Sequence, residues 1–268
     1  MKLLALCRWM LVAGLCVSLP LKAQTDWQPK ADIASAFLLS VNGQTRWQKA
    51  ATQRLPPASL TKLLAALIII ENPKLDAWVK VSKKASQQDG TKINAPAGEA
   101  FPAAYLLGAM LMKSANDACM ALVEWDAGSE AAFLEKMHAK VKQFGLKNTN
   151  FTNPCGFDDA QHYSSAQDLL KIAQMANAQP KIKVWAEMPT YTLLSKTKKA
   201  YMLTNSNMLL GRVAGVDGLK TGFTQKAGKC LIAHGKNNNK EVFLVLLNAP
   251  DRWWSADELM NRALQAND

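Results

Sequence analysis

Ser59 and Lys62 stand three residues apart in Leu55-Pro56-Pro57-Ala58-Ser59-Leu60-Thr61-Lys62, directly before the apolar run 63–70. A helix starting here carries both side chains on one face, and the run behind them predicts a helix buried on nearly every side. The proline pair suits such an entry, because its fixed φ fits a first turn and its missing N–H is not needed there. A hydroxyl beside an amine at the end of a buried helix has the makings of a nucleophile and its base. The same residues equally fit a serine near a helix N-terminus with a lysine reaching to water. Two further patterns lie downstream, Ser114-Ala115-Asn116 and Lys220-Thr221-Gly222. Taken singly the first two discriminate poorly, since Ser195-Lys196-Thr197-Lys198 repeats the first spacing and Ser40-Val41-Asn42 the second. Those copies fall in strand or turn context. Ser59 instead opens an apolar helix, Ser114 sits at a break between helices, and Lys-Thr-Gly occurs once, on a predicted strand.

The elements that must hold these groups can be read from periodicity and punctuation. Segments 34–41 and 44–49 flank Asn42-Gly43, a pair that supplies the two positive φ values of a tight hairpin. The helix after Ser59 ends at Asn72-Pro73, where proline cannot continue it. Residues 103–112, 116–126, 129–144 and 165–178 read as helices. Pro102 precedes the first, Gly145 supplies a left-handed cap to the third, and Ser164 or Ser165 with Asp168 caps the fourth. Residues 148–162 form a long loop rich in Asn, Pro, Gly and Asp. Beyond Pro180, segments 190–194, 199–203, 218–224, 229–234 and 241–248 read as strands, and their short connections imply antiparallel neighbours. Ser255-Ala256-Asp257-Glu258 has the form of a capping box opening a last helix. Strands at both ends around a helical middle predict an α+β fold. One antiparallel sheet is assembled from both chain ends (about 30–58 and 190–268), a helical lobe (about 59–189) is inserted, and the cleft between them is the expected site.

Composition narrows the function. Of the 268 residues, the first 23 read as a secretory leader: Lys2 and Arg8 give a basic start, an apolar stretch follows, and Leu21 and Ala23 flank a cleavage site. The rest, 24–268, is expected to be a single domain with no separate C-terminal β-domain. The net charge of +11 falls by three, to about +8, once Lys2, Arg8 and Lys22 leave with the leader. Such a surface favours polyanions, but the charges are dispersed and no nucleic-acid module is visible. No other segment approaches the length of a membrane span. Cys119, Cys155 and Cys230 allow at most one disulfide. Without a Cys-x-x-Cys pair or His-rich spacing no metal site is expected, nor any cofactor. His138, His162 and His234 sit in unremarkable surroundings, so a Ser-His-Asp triad lacks an evident histidine.

In order, spacing and context the three patterns resemble those of the penicillin-reactive serine enzymes. The likeness to one family runs through most of the chain: Pro57-Ala58-Ser59-Leu60-Thr61-Lys62-Leu63; Ser114-Ala115-Asn116-Asp117-Ala118-Cys119; Asn148 to Phe151 with Gly156-Phe157-Asp158 and Tyr163-Ser164-Ser165-Ala166; and Gly218 to Thr224 with Ala227-Gly228. It resembles the low-molecular-mass penicillin-binding proteins, the serine D-alanyl-D-alanine carboxypeptidases and endopeptidases of the bacterial cell wall, with their β-lactamase/transpeptidase-like fold. The resemblance implies that Ser59 attacks a D-Ala carbonyl and that Lys62, made neutral by burial and by Lys220, takes its proton. It implies that Ser114 passes a proton to the leaving amine and Asn116 holds the substrate amide. Lys220 and Thr221 would take the terminal carboxylate, and Gly222 would let a substrate strand lie against its edge. The backbone N–H groups of Ser59 and Phe223 would form the oxyanion hole. Peptidoglycan stem peptides, or cross-linked muropeptides, are the implied partners, with β-lactams as covalent inhibitors and the periplasm or the outer face of the cytoplasmic membrane as the location.

A serine β-lactamase shares this scaffold. One large class of those enzymes uses a Glu-x-x-x-Asn loop, which this chain lacks, as it lacks a Tyr-x-Asn second motif. A silent wall-binding module has no need of an activated nucleophile, and intact Ser59, Lys62 and Lys220 argue against it. Carboxypeptidase is the expected activity and cross-link endopeptidase its alternative.

Overall fold

A computed structural model describes residues 28–30, 32–237 and 239–265. The leader expected over 1–23 lies outside them. The Asn-Gly hairpin forms as read: β1 (Ala36–Val41) and β2 (Gln44–Lys49) meet at Asn42 and Gly43, with φ of 50° and 79°. A 3-10 turn (Ala58–Thr61) then runs into α1 (Lys62–Ile69), so Ser59 precedes the α-helix proper and is not inside it. The middle of the chain carries β3 (Trp78–Lys80), α2 (Lys83–Ser86), β4 (Ala100–Pro102), α3 (Ala103–Met112), α4 (Asn116–Ala127) and α5 (Glu130–Gln143). Next come α6 (Ala166–Asn177), α7 (Pro180–Glu187), β5 (Thr190–Leu194) and β6 (Ala200–Thr204). The chain closes with β7 (Val216–Thr224), β8 (Gly228–Asn237), β9 (Lys240–Leu247) and α8 (Arg252–Gln265).

The sheet has the order β2-β1-β9-β8-β7, antiparallel throughout, so strands from the two ends of the chain meet where β1 pairs with β9. Alternation along each strand feeds two cores. Leu38, Ile232, Val245 and Leu247 face α1, α3, α4 and α6. Phe37, Leu39, Leu231, Leu244 and Leu246 face α8. β9 is covered on both faces and therefore reads as an unbroken apolar run, Val242 to Leu247. β7 is the edge strand, and the 3-10 turn and α7 pack against it.

Three details differ from the sequence reading. β5 and β6 pair only with each other and lie outside the five-stranded sheet, although 190–268 was expected to build it. A helix not read from the sequence, α7, starts at Pro180, its first residue, where a missing N–H costs nothing. The last helix begins at Arg252, so Ser255 is a buried residue of its first turns and no capping box forms. Among the described residues no helix is long and apolar enough to cross a membrane.

Candidate active site

The Ser59 segment is bent before it becomes helical. Ala58 has φ of 49°, a left-handed value uncommon for a residue with a Cβ. The bend turns Ser59 out at the head of α1 while Lys62, 0% exposed, lies beneath it. Lys62 Nζ is hydrogen-bonded to Ser59 Oγ at 2.9 Å and donates to the Cys155 carbonyl. Burial, and after it the charge of Lys220, holds the Lys62 ammonium well below the ordinary lysine value. The alternative of a lysine reaching to water is thereby excluded. Thr61 is fixed in turn, its Oγ1 donating to the Ala58 carbonyl at 2.9 Å and lying 2.9 Å from His162 Nε2.

The second and third patterns meet each other. Ser114 sits at the break between α3 and α4 with φ of 64°, and its Oγ accepts from Lys220 Nζ at 2.8 Å. Lys220 also donates to the Thr221 carbonyl at 2.9 Å. It is 1% exposed, and burial, followed by the nearby Arg252 guanidinium, pulls its pKa down to about 7. Among the described residues neither buried lysine has a carboxylate partner, so a protonated Lys220 would be met only by an anion brought by a ligand. Thr221 Oγ1 lies 2.6 Å from Ser206 Oγ. Asn116 donates from its side chain to Asp89 O at 2.6 Å and from its backbone to Thr91 O at 2.7 Å, which ties loop 89–91 to the head of α4. Its Oδ1 is buried without a partner among the described residues, free to accept an N–H from a bound peptide.

The edge strand abuts the nucleophile turn. A Cβ on Gly222 would come within 3.0 Å of Pro57 O and 3.3 Å of Ser59 N. The space its missing side chain leaves is thus occupied by the nucleophile turn, whereas the sequence reading gave it to a ligand strand. Phe223 follows and is 55% exposed.

Several residues at the site were not singled out from sequence. Arg252, at the head of α8, donates to Gly222 O at 2.7 Å and to Cys230 O at 3.1 Å, bracing the edge strand from behind. Nothing local marks it. His162, judged unremarkable, is buried behind the nucleophile, where its Nδ1 accepts from Thr152 N at 3.0 Å and burial lowers its pKa to about 4. His234 is fully buried and bonded to Asp217 and Glu241 on neighbouring strands, away from Ser59. The length of the 148–162 loop was the available signal for Cys155 and His162, because long structureless connections in compact domains are usually functional. Cys119 and Cys155 form the single permitted disulfide, and Cys230 is a buried free thiol.

Residues 22–251 match the model of the peptidase S11 family, described as D-alanyl-D-alanine carboxypeptidase, and the chain belongs to that family. It is 35% identical over 237 residues to D-alanyl-D-alanine carboxypeptidase DacF of Bacillus subtilis, covering 85% of this chain and 61% of the relative. It is 28% identical over 235 residues to the D-alanyl-D-alanine endopeptidase of Pseudomonas aeruginosa, covering 86% of this chain and 76% of that one. The crystal structure of the Streptomyces K15 DD-transpeptidase superposes with a TM-score of 0.84 at 26% identity, over 90% of this chain and all of that one. The chain spans between 52% and 61% of the length of the first carboxypeptidases it matches.

Proposed function

We propose that this protein is a serine D-Ala-D-Ala carboxypeptidase that acts on peptidoglycan stem peptides through an acyl-enzyme, outside the cytoplasmic membrane. The observation that carries the reading is the pairing of Ser59 with a buried lysine of depressed pKa, beside a second buried lysine that lacks a counter-charge. In the acylation step Ser59 Oγ attacks the penultimate D-Ala carbonyl while Lys62, entering neutral, takes the hydroxyl proton. The C–N bond then breaks, and the departing D-Ala nitrogen receives a proton delivered from Lys62 by way of Ser114. Water hydrolyses the resulting ester and restores Ser59. Lys220 and Thr221 hold the terminal carboxylate, Asn116 Oδ1 takes a substrate amide N–H, and the N–H groups of Ser59 and Phe223 hold the oxyanion. A β-lactam presents a similar carboxylate and carbonyl and is expected to acylate Ser59 as an inhibitor.

A second reading, cleavage of D,D cross-links, is supported by the likeness to an endopeptidase. Labelled penicillin should attach to Ser59 in the intact protein, shown by peptide mapping, and the label should vanish in Ser59→Ala. Persistent labelling of that variant would sink the assignment. Release of D-Ala from a pentapeptide, set against digestion of purified cross-linked muropeptides, then separates carboxypeptidase from endopeptidase.

A further inference from the structure

We infer that the Cys119–Cys155 disulfide is a positioning element for Lys62, fastening the carbonyl that orients this amine to the helix that opens beside Ser114. The inference rests on the reading of Ser59 as nucleophile and Lys62 as its base. A neutral amine has two N–H groups and one lone pair, and it can take the Ser59 proton only when the lone pair points at Oγ. Among the described residues Lys62 Nζ has two partners, Ser59 Oγ and the Cys155 carbonyl. The carbonyl can accept but not donate, so it draws an N–H to its side and leaves the lone pair for Ser59.

What holds that carbonyl is therefore part of the machinery. Residues 151–157 belong to no helix or strand. Locally, the segment is pinned by Asn153, whose Oδ1 accepts from Gly156 N at 2.7 Å and Phe157 N at 2.9 Å. It also lies hard against the nucleophile turn, since a Cβ on Gly156 would stand 2.1 Å from Ala58 O. The first of these brackets Cys155 from Asn153 to Phe157, and the second seats the segment on the Ser59 turn. Flanking ties exist on both sides, Thr152 N donating to His162 Nδ1 at 3.0 Å and Thr224 Oγ1 to Asp158 Oδ1 at 2.6 Å, but the tie made by Cys155 itself to α4 is its bond to Cys119, with 6.1 Å between their Cα atoms. Cys119 is three residues into α4, whose first residue is Asn116, and its backbone N–H donates to Ala115 O at 3.1 Å. Both cysteines are almost wholly inaccessible, at 0% and 1% exposed. A single covalent bond thus couples the acceptor that aims the base to the helix bearing the second motif.

A crosslink that merely stabilises the fold would alter unfolding and leave the chemistry of the folded molecule unchanged. The test is the full-length Cys119→Ala/Cys155→Ala protein, assayed with a fluorescent penicillin by stopped flow well below its unfolding temperature. The expected result is a fall of tenfold or more in the limiting acylation rate constant, with the dissociation constant of the preceding encounter complex unchanged within twofold. Met137→Ala, which cuts a cavity in the same core beneath α5, serves as the destabilised control and should keep the wild-type rate constant. Should the alanine pair fail to fold, Cys119→Val/Cys155→Ala refills the volume and is measured in its place. A folded variant with wild-type acylation, or a Met137→Ala protein slowed to the same degree, would overturn the inference while leaving the proposed function intact. Wild-type protein that penicillin does not acylate at Ser59 would overturn both.

Discussion

In the proposed mechanism Lys62 and Lys220, two residues of one type, are given two tasks by their surroundings. Both are buried and both are pulled below the ordinary lysine value, Lys62 by burial and Lys220, and Lys220 by burial and Arg252 to about 7. In the proposed reading the base must be neutral and the carboxylate anchor charged, so activity requires Lys62 deprotonated and Lys220 protonated. The activity kcat/KM reports the free enzyme. It should fall as pH climbs through about 7, where Lys220 loses its proton. Arginine stays protonated throughout this range. In Lys220→Arg the alkaline limb of kcat/KM for a D-Ala-D-Ala peptide should therefore move up by more than about one pH unit, even as the lost fit to Ser114 lowers the maximum. A limb that stays near neutrality in that variant would assign it to another group.

At the scale of elements, the site is a contact between an edge strand and a bent turn. β7 is aligned by Arg252 behind it and by β8 beside it, and it touches the Ser59 turn through Gly222. The gap left for a methyl group at Gly222 is tight: 3.0 Å to Pro57 O, 3.2 Å to Ala58 Cβ and 3.3 Å to Ser59 N. Gly222→Ala must widen the seam by a few tenths of an ångström, which moves the proposed carboxylate anchor, Lys220 and Thr221, away from Ser59 without opening a core. Acylation by penicillin should slow by about tenfold or more, since small misplacements are costly in a preorganised site, while the melting temperature moves by only a few degrees. Unchanged acylation would show that the seam has slack. Much of this architecture was legible in the sequence. Asn42-Gly43, Gly145 and Ser165 act through their own backbone or nearest neighbours, and each does in the structure what its type dictates. The three short patterns were legible too, because each is compact within the chain. Arg252, Ser206 and the Cys155 carbonyl were not, because they reach the site only after distant segments pack. Likewise, no local signal tells the β5–β6 ribbon that it stays apart from the main sheet, since strand pattern reports burial and not partner. Ser255 misled for a related reason: a capping box describes local hydrogen-bonding potential, and burial against the sheet overrode it.

For the whole molecule, the division into a sheet lobe and a helical lobe describes appearance more than energetics. The larger core contains Leu38, Ile232 and Val245 from the sheet together with Leu64 of α1, Leu107 of α3, Leu122 of α4 and Ile172 of α6. Removing the sheet would expose the face of α6 that packs on β1 and β9. The polar joints cross the same boundary: Lys220 to Ser114 at 2.8 Å, Leu55 N to Ser164 O at 2.8 Å, and Asn205 Nδ2 to Ala186 O at 3.1 Å. A helical lobe that could open independently would need its own closed core, and this one shares its core with the strands. We therefore expect heat unfolding to be a single transition, with far-ultraviolet circular dichroism and tryptophan fluorescence coinciding. As a stricter check, residues 59–189 expressed alone should show the narrow amide proton dispersion of an unfolded chain. A well-dispersed spectrum from that fragment, or two separated melting transitions in the whole protein, would mean that the two lobes are thermodynamic domains. In that case the catalytic seam would be an interface between them, and its geometry would have to be maintained by the polar joints alone.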